Sequence, residues 1–333
     1  MKKEINAEEN VKEPSRFMKW LKSRKVQKAS IIIMFMIVPL TLLILFTYLP
    51  FLKMVQFSFY KMKYLGSREY VGWQNYIDVF KRKDCFKALG LSVYYMVGAL
   101  IQLAIALYFA TILSFKVKLG GIFKGAMFFP YLVCGIAVGF IFKFFYTRGF
   151  VLDTLLSYIG FQKDNLPYWL KDMKINNVSL AATSVWRYMG QNMVLFIGAI
   201  MSVDKELYEA AALDGANKWK QFKYIILPGI KTIVVLNLIL AITGSISAFE
   251  PPFVITGGTM GTGTYFLIMH KLAHVNQKVG LASAMAVVLL IIIVIAALIQ
   301  NFIMNVILND GDDSNSKKIQ RKLKKSKYNK EAA

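Results

Sequence analysis

Six stretches of the chain run for 20 residues or more with almost no charge, and the connectors between them hold most of the Lys, Arg, Asp and Glu. They lie at about 30–51, 89–113, 122–145, 178–201, 230–249 and 282–307. A bilayer-crossing helix needs ~20 apolar residues, so the pattern predicts an all-α membrane protein with six transmembrane helices. The first, second, third and last stretches are apolar almost throughout. The fourth carries Arg187 and Asn192, and the fifth carries Asn237 with several Ser, Thr and Gly. Polar residues within spans face the bundle interior or a water-filled path, because lipid offers them no partner. In the fourth span Ser184, Tyr188 and Gln191 recur at i, i+4, i+7 with Arg187 beside them. In the fifth, Asn237, Ala241, Gly244, Ser245 and Ala248 form a polar-or-small stripe of the same period. These two faces are the candidate path. Small-residue stripes also serve close helix packing, so Ala241, Gly244 and Ala248 remain open to that reading.

Composition agrees. Of the 333 residues 56% are hydrophobic and 18% charged, with mean hydropathy +0.47, against about 45–50% and about a quarter in globular domains. A net charge of +22, from 41 Lys+Arg and 19 Asp+Glu, suits either nucleic acid or a membrane surface; the apolar content selects the membrane. The basic runs Lys12–Lys28 and Lys317–Lys330 have few interleaved aromatics, which fits solvated segments drawn to an anionic leaflet better than nucleic-acid patches. With the N-terminus inside, cytoplasmic segments hold 24 Lys and Arg and external ones 14, so the positive-inside bias places both termini in the cytoplasm. The organisation is then a basic N-terminal segment 1–29, a membrane domain 30–307 and a basic tail 308–333. The first apolar run is too long for a signal peptide and no small-residue cleavage site closes it, so it is expected to be retained.

Catalytic motifs are missing. No G-x-x-x-x-G-K-[ST] loop is present, and the glycine-rich run Gly257–Thr264 lacks a lysine and reads as a flexible re-entrant turn. His270 and His274 share a helical face, but Lys271 stands where H-E-x-x-H needs its glutamate and no third ligand is in evidence; they read as a surface pair on an external amphipathic segment. Cys85, in an external loop, and Cys134, in mid-span, are expected to be free thiols. Carboxylates in or near spans are too few for a proton relay. No cofactor, metal or covalent chemistry is expected. A stand-alone secondary transporter or channel lacks support from an inverted repeat, and an intramembrane enzyme lacks a catalytic constellation.

Between the fourth and fifth spans the chain reads Val203-Asp204-Lys205-Glu206-Leu207-Tyr208-Glu209-Ala210-Ala211-Ala212-Leu213-Asp214-Gly215-Ala216-Asn217-Lys218-Trp219, continuing to Ile225-Ile226-Leu227-Pro228. Asp204 can cap a short helix with Glu206 in its first turn. Ala210–Ala212 give a face of minimal bulk that another surface can approach, Gly215 permits a turn, a second amphipathic helix follows, and Pro228 opens the next span. The segment 203–228 is predicted to be a cytoplasmic helix–turn–helix elbow built for docking.

This string resembles the EAA motif of ABC importer permeases at seven fixed positions: Glu209, Ala210, Ala211, Gly215, Ile225, Leu227 and Pro228. Gly72-Trp73-Gln74-Asn75-Tyr76, Phe128-Phe129-Pro130-Tyr131, Trp186, Thr256-Gly257-Gly258 and Gly280-Leu281-Ala282-Ser283-Ala284 resemble, in order, the landmarks of the carbohydrate-uptake, maltose-permease-like branch. Two departures stand out: Asp204 replaces a usual proline, and Thr259 the proline of Gly-Gly-Pro. The resemblance implies a type I permease bundle with cytoplasmic coupling helices, in a bacterial plasma membrane. It further implies a second homologous permease, a cytoplasmic ABC ATPase dimer, an extracellular solute-binding protein and a sugar as substrate, with no nucleic acid. By the same resemblance ATP closure drags the elbow and substrate is contacted from the fourth and fifth spans, where the polar stripes offer Ser184, Arg187, Tyr188, Gln191, Asn237, Gly244 and Ser245 as candidate path residues. An importer for a non-sugar solute is the alternative within the family.

Overall fold

The computed structural model describes residues 24–115 and 117–309; the expected basic segments 1–29 and 308–333 lie almost wholly outside them. Two compact units divide the chain at Phe57/Ser58. The first holds helix α1 (Arg24–Leu43), a wide turn Ile44–Tyr48 and helix α2 (Leu49–Phe57). Ser30–Phe57 is strongly apolar, with Lys53 and Gln56 near its end, and long enough to cross a bilayer. The wide turn has a local cause. Pro50 has no N–H to offer Phe46, and the N–H of Leu49 reaches one residue further back than usual, to the Ile44 carbonyl.

The second unit begins with a short antiparallel pair, β1 (Tyr60–Lys61) and β2 (Glu69–Tyr70), with Tyr60 opposite Tyr70. Helices α3 (Gln74–Lys81), α4 (Lys83–Gly90) and α5 (Ser92–Leu113) follow. Next come α6 (Gly120–Leu132), α7 (Gly135–Phe145), α8 (Val151–Tyr158) and α9 (Asn176–Met201). The elbow contains α10 (Lys205–Leu213) and α11 (Lys218–Gln221), and the remainder is α12 (Lys231–Ile246), α13 (Tyr265–His270) and α14 (Val279–Asn309).

Among the described residues three helical runs are long and apolar enough to cross a membrane, Ser30–Phe57, Lys83–Leu113 and Val279–Met304, and two bent pairs raise the number to five if each is one span. The polar fourth stretch forms α9, whose 26 residues reach about 39 Å at ~1.5 Å per residue. The third expected span is not one rod. It breaks into α6 and α7, which meet at 98°. Val133 and Cys134 are extended, with ψ of 134° and 136°, just beyond Pro130, which removes one helical hydrogen bond. The fifth stretch forms α12, set at 72° to the elbow segment Lys218–Gly229 that feeds it.

The bundle is organised on α5 and α9, which pack along each other more extensively than any other described pair. Gly98 makes this approach possible: a Cβ there would stand 3.2 Å from Val185. Leu103, Ala106 and Ala110 of α5 and Met193, Phe196, Ile197 and Ile200 of α9 form one core with Ile226 and Ile230. A second core joins α3 and α4 to α13 and α14.

Two sequence landmarks far apart in the chain meet at the Tyr60 carbonyl. Asn75 Nδ2 donates to the carbonyls of Ser58 (2.8 Å) and Tyr60 (3.0 Å), and Gly280 at the head of α14 presses its bare Cα against the same Tyr60 oxygen. The glycine-rich run is pinned rather than loose: Thr256 and Thr262 hydroxyls pair at 2.6 Å, and Asn176 and Asn177 of α9 donate to the carbonyls of Met260 and Gly261.

Gly190 of α9 lies against the Met127 carbonyl of α6, where any Cβ would overlap backbone, while a Cβ on Gly244 of α12 would meet nothing within 4 Å. Gly190→Ala is therefore expected to destabilise the folded chain by about 1–3 kcal/mol, the usual cost of overpacking, and Gly244→Ala to leave stability unchanged. Thermal unfolding of the two detergent-solubilised variants checks this, and equal midpoints would refute the difference.

Candidate functional site: an exposed elbow and a polar cavity joined by one helix

The elbow forms as its sequence dictates. Asp204 caps α10, its Oδ1 accepting from the Glu206 N–H at 3.2 Å, and Asn217 caps α11 through the Lys220 N–H at 2.9 Å. Helix α10 ends in a Schellman pair: the Ala216 N–H donates to the Ala211 carbonyl and the Gly215 N–H to the Ala212 carbonyl. That geometry places Gly215 at φ +74°, a left-handed conformation that side chains resist. Past α11 a wide turn, Phe222–Ile226, leads through Leu227–Gly229 into α12.

The elbow is rooted at one end and open at the other. Ile226 and Ile230 are buried in the core shared with α5 and α9, which Val203, Tyr208 and Phe222 also pack against. Ile225 and Leu227 are half-buried. Lys218 Nζ stands 4.7 Å from the centre of the Phe115 ring, and Tyr208 packs edge-on to the same ring; burial raises the Tyr208 hydroxyl above its ordinary pKa. In contrast Glu209, Ala210, Gly215 and Pro228 are exposed, Ala211 is half-buried, and Leu213 is 90% and Trp219 69% exposed. Among the described residues Glu209 makes no ion pair. The arrangement is an anchored hairpin that presents a carboxylate, small residues and the exposed apolar side chains of Leu213 and Trp219, the latter stacked on Phe222.

Helix α12 carries the elbow into a cavity of about 530 Å³ between α5, α9 and α12, lined among others by Tyr95, Gln102, Tyr131, Ser184, Tyr188, Gln191, Asn237, Gly244, Ser245, Phe249 and Glu250. The polar residues of α12 are held by their own helix. Asn237 Nδ2 donates to the Ile233 carbonyl at 2.9 Å and Ser245 Oγ to the Ala241 carbonyl at 2.6 Å.

A small pocket adjoins the cavity, with Ser184, Tyr188, Glu250 and Pro251 lining both, and Arg187 lines only the small one. Arg187 Nη1 is ion-paired with Glu250 Oε2, and its guanidinium lies 5.1 Å from the Tyr188 ring centre. The pair sits over Gly135, the first residue of α7, where a Cβ would collide with both groups. The break between α6 and α7 thus delivers a helix N-terminus, with its partial positive charge, to the Glu250 carboxylate.

Comparison with known proteins decides what this arrangement belongs to. Residues 102–305 match the sequence profile of the family described as "Binding-protein-dependent transport system inner membrane component". The chain is a member of that family. The permease is 30% identical, over 79% of its length and 92% of the relative's, to the "Probable ABC transporter permease protein YurN" of Bacillus subtilis (strain 168). It is 32% identical, over 75% of its length and 80% of the relative's, to the same organism's "Arabinooligosaccharides transport system permease protein AraP". Its fold matches a chain of a bacterial ABC transporter involved in import of the acidic polysaccharide alginate, with a TM-score of 0.74 at 17% identity, covering 88% of the permease and 99% of that chain. The permease is thus a non-catalytic, multi-pass component of the bacterial plasma membrane.

Of the seven candidate path residues the cavity gathers six, Ser184, Tyr188, Gln191, Asn237, Gly244 and Ser245; Arg187 stands behind Glu250 instead of facing the cavity. Ala241 and Ala248 both pack and line, whereas Gly244 has open space beside it. Sequence reasoning passed over Tyr95 and Gln102 of α5. Gln102, polar inside an apolar span, carried a readable signal; Tyr95, in a run of aromatics and aliphatics, carried none.

The histidines also differ from expectation. They are not a simple surface pair: His270 is half-buried against Phe249 and Phe253 with ring centres at 5.1 and 5.3 Å, and His274 Nδ1 shares a 2.8 Å hydrogen bond with Tyr64 Oη. Burial, and after it the His274 ring, holds His270 below the ordinary imidazole pKa.

Removing one member of the Arg187–Glu250 pair leaves the other unpaired beside the cavity. Arg187→Ala is expected to destabilise by about 2 kcal/mol, less than the ~3–5 kcal/mol of fully buried pairs because Glu250 is 46% exposed, and to impair uptake while assembly persists. Arg187→Ala/Glu250→Ala is expected to recover most of the stability. A double-mutant thermal-unfolding cycle checks the coupling, and normal uptake by the Arg187→Ala strain would remove the pair from the path.

Proposed function

We propose that the permease is the membrane-spanning subunit of an ATP-driven, binding-protein-dependent importer of oligosaccharides, forming half of the translocation path and coupling to its ATPase through residues 203–228. In this reading six helices cross the membrane, α9 among them, both termini are cytoplasmic, and the elbow faces the cytoplasm. Its partners are a second homologous permease, a cytoplasmic ABC ATPase dimer and an extracellular solute-binding protein. The likeness to AraP, named for arabino-oligosaccharide transport, supports a sugar, as does a cavity whose lining combines amides, hydroxyls and the tyrosine rings of Tyr131 and Tyr188, 6.1 Å apart.

The observation that carries the proposal is the continuity of elbow and cavity. Glu209, Ala210 and Ala211 sit on the open hairpin. Ile225, Leu227 and Pro228 join it to α12, and α12 supplies Asn237, Gly244 and Ser245 to the cavity wall. A groove on the ATPase that grips α10 then acts on the cavity through a single helix. Glu209 supplies a carboxylate for a basic side chain of the groove, and Ala210 and Ala211 let the surfaces close.

Glu209→Lys and Gly215→Pro are expected to lower substrate-stimulated ATP hydrolysis by the assembled transporter about tenfold or more, the equivalent of ~1.4 kcal/mol of docking energy, without lowering the amount of permease in the membrane. Co-purification of the ATPase and hydrolysis in nanodiscs measure this. A variant that keeps both full ATPase binding and full stimulation would refute the coupling role.

A further inference from the structure

The ionic lining of the cavity has one sign. Leaving the tyrosine hydroxyls aside, Glu250 is the sole ionisable side chain among the lining residues, and the cation that balances it, Arg187, lies on its far side in the neighbouring pocket. A ligand in the large cavity therefore meets a half-exposed carboxylate and no facing cation. The uncharged groups reinforce this. Asn237 is 4% exposed, and because its Nδ2 is committed to the Ile233 carbonyl, the atom left buried and unpartnered is the acceptor Oδ1. Tyr95, also 4% exposed, leaves its hydroxyl buried and unpartnered. A buried polar atom without a partner is uncommon, and two that line one cavity beside a carboxylate describe what should fill it. Beside the amides and hydroxyls of Gln102, Gln191, Asn192 and Ser184, these groups add two acceptors and a hydroxyl to the wall, which suits a ligand rich in hydroxyl donors, and the carboxylate stands between an incoming anion and Arg187.

We infer that this cavity selects uncharged, hydroxyl-rich saccharides and rejects acidic ones, with Glu250, Asn237 and Tyr95 as the groups that set the preference. The inference rests on the oligosaccharide reading above and narrows it. It separates the permease in chemistry from the alginate importer whose fold it matches, since a uronic-acid chain would bring a carboxylate on each residue to Glu250. Tyr95 adds α5 to the helices that read the substrate.

The test is equilibrium binding to the membrane-embedded complex of permeases and ATPase in nanodiscs, without the binding protein, so that the cavity alone is read. Arabino-, malto-, xylo- and galactotriose serve as uncharged probes and trigalacturonate as the acidic one. At pH 7 at least one uncharged probe is expected to bind about tenfold or more tighter than trigalacturonate. Glu250→Gln, which leaves Arg187 uncompensated, is expected to narrow that gap by strengthening trigalacturonate binding. Tyr95→Phe, which removes one oxygen, is expected to weaken the uncharged probe several-fold with trigalacturonate unmoved. The comparison within the native complex decides the matter even if a variant fails to assemble. Trigalacturonate binding as tightly as the best uncharged probe, or an unchanged ratio in an assembled Glu250→Gln complex, would overturn the inference and leave oligosaccharide import standing. Binding of none of the five would overturn both.

Discussion

A chain surrounded by hydrocarbon must pair its own polar groups, because the surroundings offer no hydrogen bonds. Much of this structure follows from that constraint. The hydroxyls of Thr111, Thr183, Thr243 and Ser245 turn back onto the carbonyl one turn earlier in their helices, and Arg187 is closed off by Glu250 from a segment 63 residues away. What these pairings leave over is informative. Asn237 Oδ1, Tyr95 Oη and Arg187 Nε stay unpartnered on residues that line the cavity and its side pocket, while Ser92, Asn177, Tyr208 and Gln300 keep unpartnered groups elsewhere in the described residues. The first three differ from the others in that their residues border open space.

The same constraint explains why the third apolar stretch is broken. A straight helix over 122–145 would carry bulky side chains across both α9 and the ion pair. Glycines stand at the crossings instead: Gly190 lets α9 meet the α6 backbone, Gly135 makes room for Arg187 and Glu250, and Gly139 lies against Val254. The bend also supplies a helix start beside a carboxylate, an arrangement a continuous helix could not offer. Close packing and charge placement are thus met by one backbone break.

How far these features were legible depended on how local their causes are. The helix–turn–helix backbone of the elbow could be read, though not its wide turn Phe222–Ile226, since Asp204, Gly215 and Pro228 act on backbone within a few residues of themselves. The cavity faces of α9 and α12 were legible because polar residues recurred with helical period in otherwise apolar runs. The break at Val133–Cys134 was not. Pro130 and Gly135 were local hints, but proline also occurs inside other helices here, and the Arg187–Glu250 pair that packs against Gly135 is formed by residues far along the chain. The contribution of α5 was missed for a similar reason: Tyr95 resembles a core residue until the structure shows its hydroxyl without a partner. The histidine pair looked superficial because its aromatic neighbours, Phe249 and Phe253 in one segment and Tyr64 in another, lie apart from it in the chain.

The mechanical consequence concerns α12. Its N-terminal approach turns through 72° at Ile230, and both Ile226 and Ile230, each 1% exposed, are locked into the core of α5 and α9. An interior packed to crystal-like density resists continuous deformation and moves between discrete arrangements. A pull on the open hairpin therefore has two outlets: it opens this core, or it carries α5, α9 and α12 together. The first exposes buried apolar surface at a cost that grows with the area uncovered. The second preserves the contacts and moves all three helices, which bear Tyr95, Tyr188 and Asn237, as a block. The part of the cavity wall that the block supplies keeps its shape in that movement, so any change falls on the rest of the wall, Tyr131 of α6 and Phe249 and Glu250 beyond α12.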